Sequence, residues 1–378
     1  MASYPTATAY PAASDADVPM GTIATGVPVA ARVVAPPATL ASKGFPAGLY
    51  GMLQSSVQAF PIRFVVVDNS GSMNSGDGSR LMKDSQGNYK VLRATRWQEL
   101  CDTLISLSEI STSLGARTDF HLLNPGTSSA TPPGGGQYLS LCTDAYGFVT
   151  AAGATVDHAL LSAFFKGLSP TGTTPLAESL HQIISTIQPV AEKMRHNGQK
   201  AVVVIATDGL PNDKNAFLRA LQQLQALPVF PIVRLCTNDD NVVQYYSDLD
   251  KSLEHPLEVL DDEAGEAQEI RAVNPWLTYG QPLHLAREFG LHDKLYDILD
   301  EQPLLPSQAK QLIERLLGCA ELPEPELEPA AFVSAVERAL GSQPKVFDLN
   351  MNRKDNWVKP EMLKRMLNPG GGGGCSVM

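Results

Sequence analysis

An apolar run passes directly into a polar loop in Arg63-Phe-Val-Val-Val-Asp-Asn-Ser-Gly-Ser-Met73. A second segment, Ala201-Val-Val-Val-Ile-Ala-Thr-Asp-Gly209, has the same arrangement. Runs that are apolar at every position are typical of strands buried on both faces of a parallel sheet. The first run stops at Asp68 and the second is followed closely by Asp208. The two segments therefore predict central parallel strands with a carboxylate beyond the end of each.

The rest of this region alternates between short apolar runs and amphipathic segments. Predicted strands cover residues 63–67, 118–123, 201–205, 229–235 and 257–260, with a short edge strand over 137–142. Predicted helices cover residues 97–114, 176–194, 215–224 and 241–253. Strands that alternate with helices indicate an α/β fold, here a Rossmann-like, doubly wound and mostly parallel sheet.

The composition changes along the chain and suggests its domain boundaries. Residues 1–42 are rich in Ala and Pro and are predicted to form a disordered tail. Residues 43–262 are predicted to form the sheet domain, beginning with a helix over residues 47–60. Residues 263–368 read as a small all-helical module, and residues 369–378 as a Gly linker with a CaaX-like end.

Charge and cysteine content narrow the class of protein. The formal net charge of −11 argues against nucleic acid as the main partner, because neutralising phosphates requires clustered Lys and Arg. The five cysteines are widely spaced without a C-x-x-C pair, which fits a reducing compartment better than a disulfide framework. The start of the sequence lacks the pattern of a secretory signal, and no apolar run approaches the ~20 residues of a membrane span. We therefore expect a cytoplasmic protein.

Oxygen-bearing side chains follow both central strands. In an open parallel sheet, ligands bind beyond the carboxyl ends of the strands, so Asp68 and Asp208 should converge on one crevice. Ser70 and Ser72 alternate with Asp68, and in a tight loop all three oxygens can face the same point. Two carboxylates with neutral hydroxyls suit a hard cation, Mg²⁺ or Mn²⁺. Because most of its ligands would be uncharged, the ion would gain from a carboxylate supplied from outside.

Three motifs in this order resemble the von Willebrand factor type A (vWA) family and its metal-ion-dependent adhesion site. They are Asp68-x-Ser70-x-Ser72 after a Val-rich strand, Gly172-Thr-Thr174-Pro-Leu176 before a long helix, and Thr207-Asp208-Gly209 after a second Val-rich strand. The resemblance covers roughly residues 43–262. It implies that Ser70, Ser72 and Thr174 coordinate the ion through hydroxyls. It also implies that Asp68 and Asp208 act largely through water.

The chain departs from the family's pattern in two places. Thr173 stands where many members have a second Gly, at a position that is not a ligand. Residues 74–95 form a long insertion whose two apolar runs predict a hairpin at the rim of the metal site.

The resemblance implies a metal-dependent adaptor that captures an Asp or Glu side chain of a partner protein, and no enzymatic activity. Two alternatives remain open, a Mg²⁺-dependent hydrolase or phosphatase and a metal-independent structural scaffold. Phosphotransferases with an aspartate nucleophile need a second acid two residues later, and Ser70 occupies that position here. We therefore expect no catalytic residue.

The last residues carry a separate motif. Cys375-Ser-Val-Met378 matches the C-a-a-X prenylation box, and the final Met favours a farnesyl group. The preceding glycines, residues 370–374, make Cys375 accessible. A single lipid anchors weakly, so we expect peripheral, reversible association with the cytoplasmic face of a membrane.

Overall fold

The computed structural model describes residues 34–83, 89–151, 153–253 and 257–368. Its strands are β1 (Ile62–Val67), β2 (Gly78–Lys83), β3 (Tyr89–Ala94), β4 (Arg117–Leu122), β5 (Tyr138–Leu141), β6 (Ala154–Val156), β7 (Ala201–Thr207), β8 (Val229–Leu235), β9 (Glu258–Leu260), β10 (Val346–Asp348) and β11 (Arg353–Asp355).

The helices alternate with the strands over most of the chain and then become the main element. They are α1 (Ala38–Ser42), α2 (Ala47–Ala59), α3 (Arg96–Leu114), α4 (His158–Gly167), α5 (Leu176–Ile187), α6 (Ala191–His196), α7 (Lys214–Gln225), α8 (Asp240–Ser252), α9 (Glu263–Val273), α10 (Gln281–Glu288), α11 (Lys294–Asp297), α12 (Pro306–Leu317), α13 (Pro329–Leu340) and α14 (Pro360–Leu367).

A seven-stranded sheet organises the larger part of the molecule, in the order β6-β5-β4-β1-β7-β8-β9. Its neighbouring strands pair in parallel except β4 and β5, which are antiparallel. The sheet confirms the predicted α/β, mostly parallel architecture. The strand predicted at the edge over residues 137–142 lies inside the sheet instead, because β6 pairs with its outer side. The sequence analysis did not predict β6, whose three residues are too few for a periodic signal.

Apolar layers cover both faces of the sheet, as a doubly wound fold requires. Phe64 and Val66 of β1 belong to one layer, with helices α5, α7 and α8. Val65 and Val67 belong to the other, with α3 and α4. Successive side chains of a strand point to opposite faces, so the unbroken apolar run 64–67 of β1 contributes to both layers. This places β1 and its neighbour β7 at the centre of the sheet.

The C-terminal part is helical, as predicted, and it also contains the antiparallel pair β10–β11. Its core includes residues from the N-terminal side of the sheet domain, since α2 packs against α12. A Cβ atom at Gly48 of α2 would lie 2.1 Å from the carbonyl oxygen of Arg315 in α12, so only glycine permits this approach. The helical unit therefore begins before the sheet and ends after it, unlike the predicted division at residue 262.

Two further expectations need correction. The tail predicted over residues 1–42 is too long, because residues 38–42 form α1 and its Leu40 is buried in the helical core; residues 1–33 lie outside the described residues. The helix predicted over residues 176–194 is interrupted by a short 3₁₀ turn, Gln188–Val190, between α5 and α6. Proline at position 189 cannot donate the amide hydrogen that a continuous helix needs.

The insertion over residues 74–95 contains the antiparallel pair β2–β3. Its ends are closed by a hydrogen bond from the Arg96 amide to the carbonyl oxygen of Ser75, 3.0 Å long. The pair contacts α3 through Arg80, which donates to both oxygens of Asp102.

Among the described residues, no helix combines the length and the apolar character needed to cross a bilayer.

Candidate metal centre

The candidate site lies where β1 and β7 end side by side. The register pairs Val67 with Ala206, and the Asp68 amide donates to the carbonyl oxygen of Ala206 at 2.9 Å. Asp208 follows two residues later, and both aspartates are buried. Parallel pairing of two equally apolar strands therefore brings the two carboxylates to one edge of the sheet, as the sequence predicts.

Hydrogen bonds join four of the five predicted ligands, Asp68, Ser70, Ser72 and Asp208, into one chain. The Ser70 and Ser72 hydroxyl oxygens lie 3.0 Å apart, and the Ser72 hydroxyl donates to Asp208 Oδ1 at 2.8 Å. Asp68 Oδ1 accepts the Ser70 amide at 2.9 Å, and Asp68 Oδ2 accepts the Thr207 hydroxyl at 2.6 Å. Thr207 was not among the predicted site residues, although it directly precedes Asp208. Its hydroxyl fixes the rotation of the Asp68 carboxylate.

The loop before α5 approaches the same point. The Gly71 amide donates to the carbonyl oxygen of Gly172 at 3.2 Å, which ties this loop to the one after β1. Gly172 has φ +93°, and a Cβ there would lie 2.3 Å from the Asn124 side chain. The Thr174 hydroxyl lies beside the turn after Asp208, 3.8 Å from where a Cβ of Gly209 would be. Among the described residues, it does not join the chain of hydrogen bonds between the other four predicted ligands.

A ladder of amides holds this loop in place and accounts for Thr173. The Asn69 side chain bonds both backbone groups of Asn124, since it donates to the carbonyl oxygen at 2.9 Å and accepts from the amide at 2.8 Å. The Asn124 side chain then bonds both backbone groups of Thr173. Asn212 donates to the Thr173 hydroxyl at 3.1 Å and accepts from the Thr174 amide at 3.1 Å. The departure from the family pattern therefore supports the position of Thr174.

Arg96, which the sequence analysis did not single out, also lies in the site. Its Nη1 donates to Asp208 Oδ2 at 2.9 Å, while Nε and Nη2 donate to the two oxygens of Asp77 at 2.7 and 2.6 Å. These bonds raise the pKa of Arg96, and the guanidinium lowers the pKa of the Asp77 carboxyl. Arg96 and Asp208 are 112 positions apart in the sequence, so no local pattern reveals the contact.

Burial governs the electrostatics of Asp68. Desolvation raises the pKa of its carboxyl, the nearby Asp208 charge adds to the rise, and the bonds from Ser70 and Thr207 oppose it. A buried carboxylate with a neighbour of the same charge is stabilised by any cation placed between them. The donor atoms here are carboxylate and hydroxyl oxygens, the set that Mg²⁺ and Mn²⁺ prefer. The residues therefore fit a hard divalent cation.

A second group of metal-capable side chains lies elsewhere and was not predicted. Ligand atoms of Glu258, His292 and Asp297 lie within 4.8 Å of one another. Each of these groups also has an ion-pair partner, since Glu258 accepts from Arg287 at 3.2 Å and His292 lies 3.6 Å from Asp297. This group is remote in sequence from the predicted ligands and includes none of them.

Neither a family model nor a curated protein matches the sequence. Among solved structures, the chain is similar to the manganese-loaded TRAP protein of Plasmodium vivax, with 16% identity and a TM-score of 0.32 over 54% of this chain and 69% of that one. It is also similar to proximal thread matrix protein 1 of the mussel byssus, with 15% identity and a TM-score of 0.26 over 47% of this chain and 38% of that one.

Proposed function

We propose that the chain is a metal-dependent protein-binding adaptor of the vWA type, which captures an acidic side chain of a partner protein. The observation that carries the proposal is the chain of hydrogen bonds at the carboxyl edge of the sheet, in which the Ser70 amide bonds Asp68 and the Ser70 and Ser72 hydroxyls lead to Asp208. The Thr174 hydroxyl lies beside the same turn.

Each residue has a definite role in this proposal. Ser70, Ser72 and Thr174 hold a Mg²⁺ or Mn²⁺ ion through their hydroxyls, and Asp68 and Asp208 hold it largely through water. When bound, the ion supplies a positive charge that its neutral ligands leave partly uncompensated. An Asp or Glu of the partner then completes the site, because carboxylate oxygens are preferred ligands of hard cations.

We propose a binding role over an enzymatic one because of the group beside Asp208. Hydrolytic chemistry on a bound ion needs a residue that gives or takes a proton near the reacting atoms. The charged group in contact with Asp208 is the guanidinium of Arg96, which keeps its proton in proteins and cannot act as a base.

The adaptor proposal is tested by affinity capture with the full chain as bait, in Mg²⁺ and in EDTA. Partner proteins that bind through the metal site should be retained in Mg²⁺ and lost in EDTA. They should also be lost with Thr174→Ala, and retained with the matched control Thr186→Ala, whose hydroxyl bonds the Gln182 carbonyl within α5. A set retained equally in EDTA would overturn the proposal.

We further propose that the protein acts at the cytoplasmic face of a membrane, held there by a prenyl group on Cys375. The motif lies outside the described residues, so this part of the proposal depends on the sequence Cys375-Ser-Val-Met378 alone. A single prenyl chain binds membranes reversibly, which suits an adaptor that moves between the membrane and its partners.

A further inference from the structure

Arg96 places a permanent positive charge on a carboxylate of the proposed metal site. We infer that Arg96 is a built-in competitor of the divalent ion, and that Asp77, at the base of the inserted hairpin, sets how strongly it competes. The inference rests on the proposed function and adds a means of regulating it. Arg96 thereby couples the affinity of the site for the ion to the position of the β2–β3 hairpin at its rim.

Arg96 and the Ser72 hydroxyl bond the two different oxygens of the Asp208 carboxylate. Asp208 Oδ1 accepts the Ser72 hydroxyl at 2.8 Å, and Asp208 Oδ2 accepts Arg96 Nη1 at 2.9 Å. The Asp208 side chain is fully buried and that of Arg96 is 14% exposed, so water screens the pair poorly. The guanidinium, which Asp77 shares, compensates part of the Asp208 charge, and among the described residues Asp68 has no ion-pair partner.

An incoming ion meets this charge directly. A divalent cation held by Ser72 and Asp208 would lie a few ångströms from the guanidinium and would be repelled by it. Even with water-like screening, repulsion between charges of one and two units at that range changes an affinity on the order of tenfold. Removing the guanidinium charge should tighten metal binding by about that factor.

Asp77 acts on Arg96 in the opposite direction. It accepts two hydrogen bonds from the guanidinium, at 2.7 and 2.6 Å, and its side chain is 54% exposed. The bidentate bond through Nε and Nη2 offsets the Arg96 charge, while Nη1 of the same guanidinium bonds Asp208. Without the Asp77 charge, the guanidinium would pair more strongly with Asp208 and repel the ion more. A partner that moves the hairpin base would therefore change the metal affinity.

The test is a Mn²⁺ titration of the full chain by calorimetry, with free Mn²⁺ counted in parallel by electron paramagnetic resonance. Arg96→Gln should lower the Kd for Mn²⁺ about tenfold, and Asp77→Asn should raise it severalfold. The double variant should match Arg96→Gln, because Asp77 acts through Arg96. The control is Arg338→Gln, which removes an equal charge from an exposed position on α13, and it should change the Kd less than about twofold.

The outcomes separate this inference from the proposal beneath it. If the wild-type chain binds Mn²⁺ and Arg96→Gln binds it equally or more weakly, Arg96 is not a competitor, and the metal site stands. If neither protein binds Mn²⁺, both ideas fail together. Binding by Arg96→Gln alone would support the inference most strongly. Thermal unfolding checks each variant, and if Arg96→Gln does not fold, the opposite sign predicted for Asp77→Asn still decides the question.

Discussion

Arg234 near the end of strand β8 donates to Glu288 of helix α10 at 3.0 Å, and both side chains are buried. The same guanidinium bonds Glu99 of α3 at 2.9 Å, and Glu99 accepts the Ser79 amide at the base of the hairpin. Arg234 also lies 2.8 Å from the Cys236 sulfur. One buried arginine therefore links the sheet, the helical unit and the inserted hairpin.

Arg234→Met should weaken the fold strongly. The change removes the guanidinium from Glu288, which keeps His284 at 3.3 Å as a neighbour, and breaking a buried ion pair costs about 3–5 kcal/mol of the free energy of unfolding. Urea unfolding followed by circular dichroism measures this. Arg353→Met is the matched control, since Arg353 pairs with Asp355 at 3.4 Å on the surface and should lose less than about 1 kcal/mol. Equal losses in the two variants would show that Arg234 does not hold the units together.

His121 should make the fold sensitive to acid. It is buried in β4 between the rings of Phe64 and Tyr138, and this burial lowers its pKa to about 4 from the usual 6.5. Between these two values the unfolded chain binds a proton that the folded chain does not. The free energy of unfolding therefore falls as the pH drops from 6.5 to 4, by roughly 3 kcal/mol in total.

The measurement is the free energy of unfolding from pH 7 to pH 4 for the wild type and His121→Leu. Carboxylates titrate in both proteins, so the difference between their curves isolates His121. The difference should shift in favour of the variant as the pH falls. His196→Leu, at the exposed end of α6, is the matched control for the replacement of a histidine by leucine. Parallel curves for His121→Leu and wild type would contradict the prediction.

The inserted hairpin should select the partner without supporting the core. Val91 and Leu92 of β3 are 46% and 48% exposed, an arrangement that stabilises no folded core. Val91→Ser with Leu92→Ser should leave the unfolding temperature and the Mn²⁺ affinity unchanged and alter the set of captured proteins. Replacing residues 79–94 by a short Gly/Ser linker should have the same effect on capture, with cooperative unfolding retained. Loss of cooperativity would show that the hairpin is structural.

The sequence was most informative where one element decides the outcome alone. The apolar runs at β1 and β7 predicted two central buried strands, and the parallel pairing of these strands carries Asp68 and Asp208 to the same edge. Ser70 and Ser72 alternate with Asp68 in the loop after β1, and this spacing predicted that they share its site. In such cases the local pattern and the packed structure impose the same constraint on each residue.

Contacts between distant segments could not be read in this way. Arg96 follows a hairpin and begins a helix, which suggests an ordinary surface arginine until folding brings it to Asp208. Helix α2 has an apolar stripe that fits either the sheet or the helical unit, and only the close approach at Gly48 places it against α12. Both relationships depend on tertiary packing, which periodicity along one element does not encode.

The lipid proposal makes a prediction that is independent of the metal site. Cells that express the protein should show partial, salt-sensitive membrane association, because one prenyl chain binds only marginally and nearby basic residues contribute electrostatically. Cys375→Ser should move the protein fully to the soluble fraction. Ser376→Ala is the control, since it keeps the cysteine and the motif. Intact mass of the natively expressed protein that shows Cys375 unmodified, with the last three residues retained, would refute the proposal.

The most direct test of the central claim is a calorimetric titration of Mg²⁺ and Mn²⁺ into the wild type and Asp68→Ala. Removing the Asp68 carboxylate relieves its desolvation but leaves the Ser70 amide and the Thr207 hydroxyl without this acceptor, so thermal unfolding checks that the variant still folds. Asp240→Ala is the matched control, since Asp240 is an exposed carboxylate in the first turn of α8, the helix that follows β8. The account predicts one saturable divalent-ion site in the wild type and in Asp240→Ala, and none in Asp68→Ala. Equal affinities in the wild type and Asp68→Ala would contradict it.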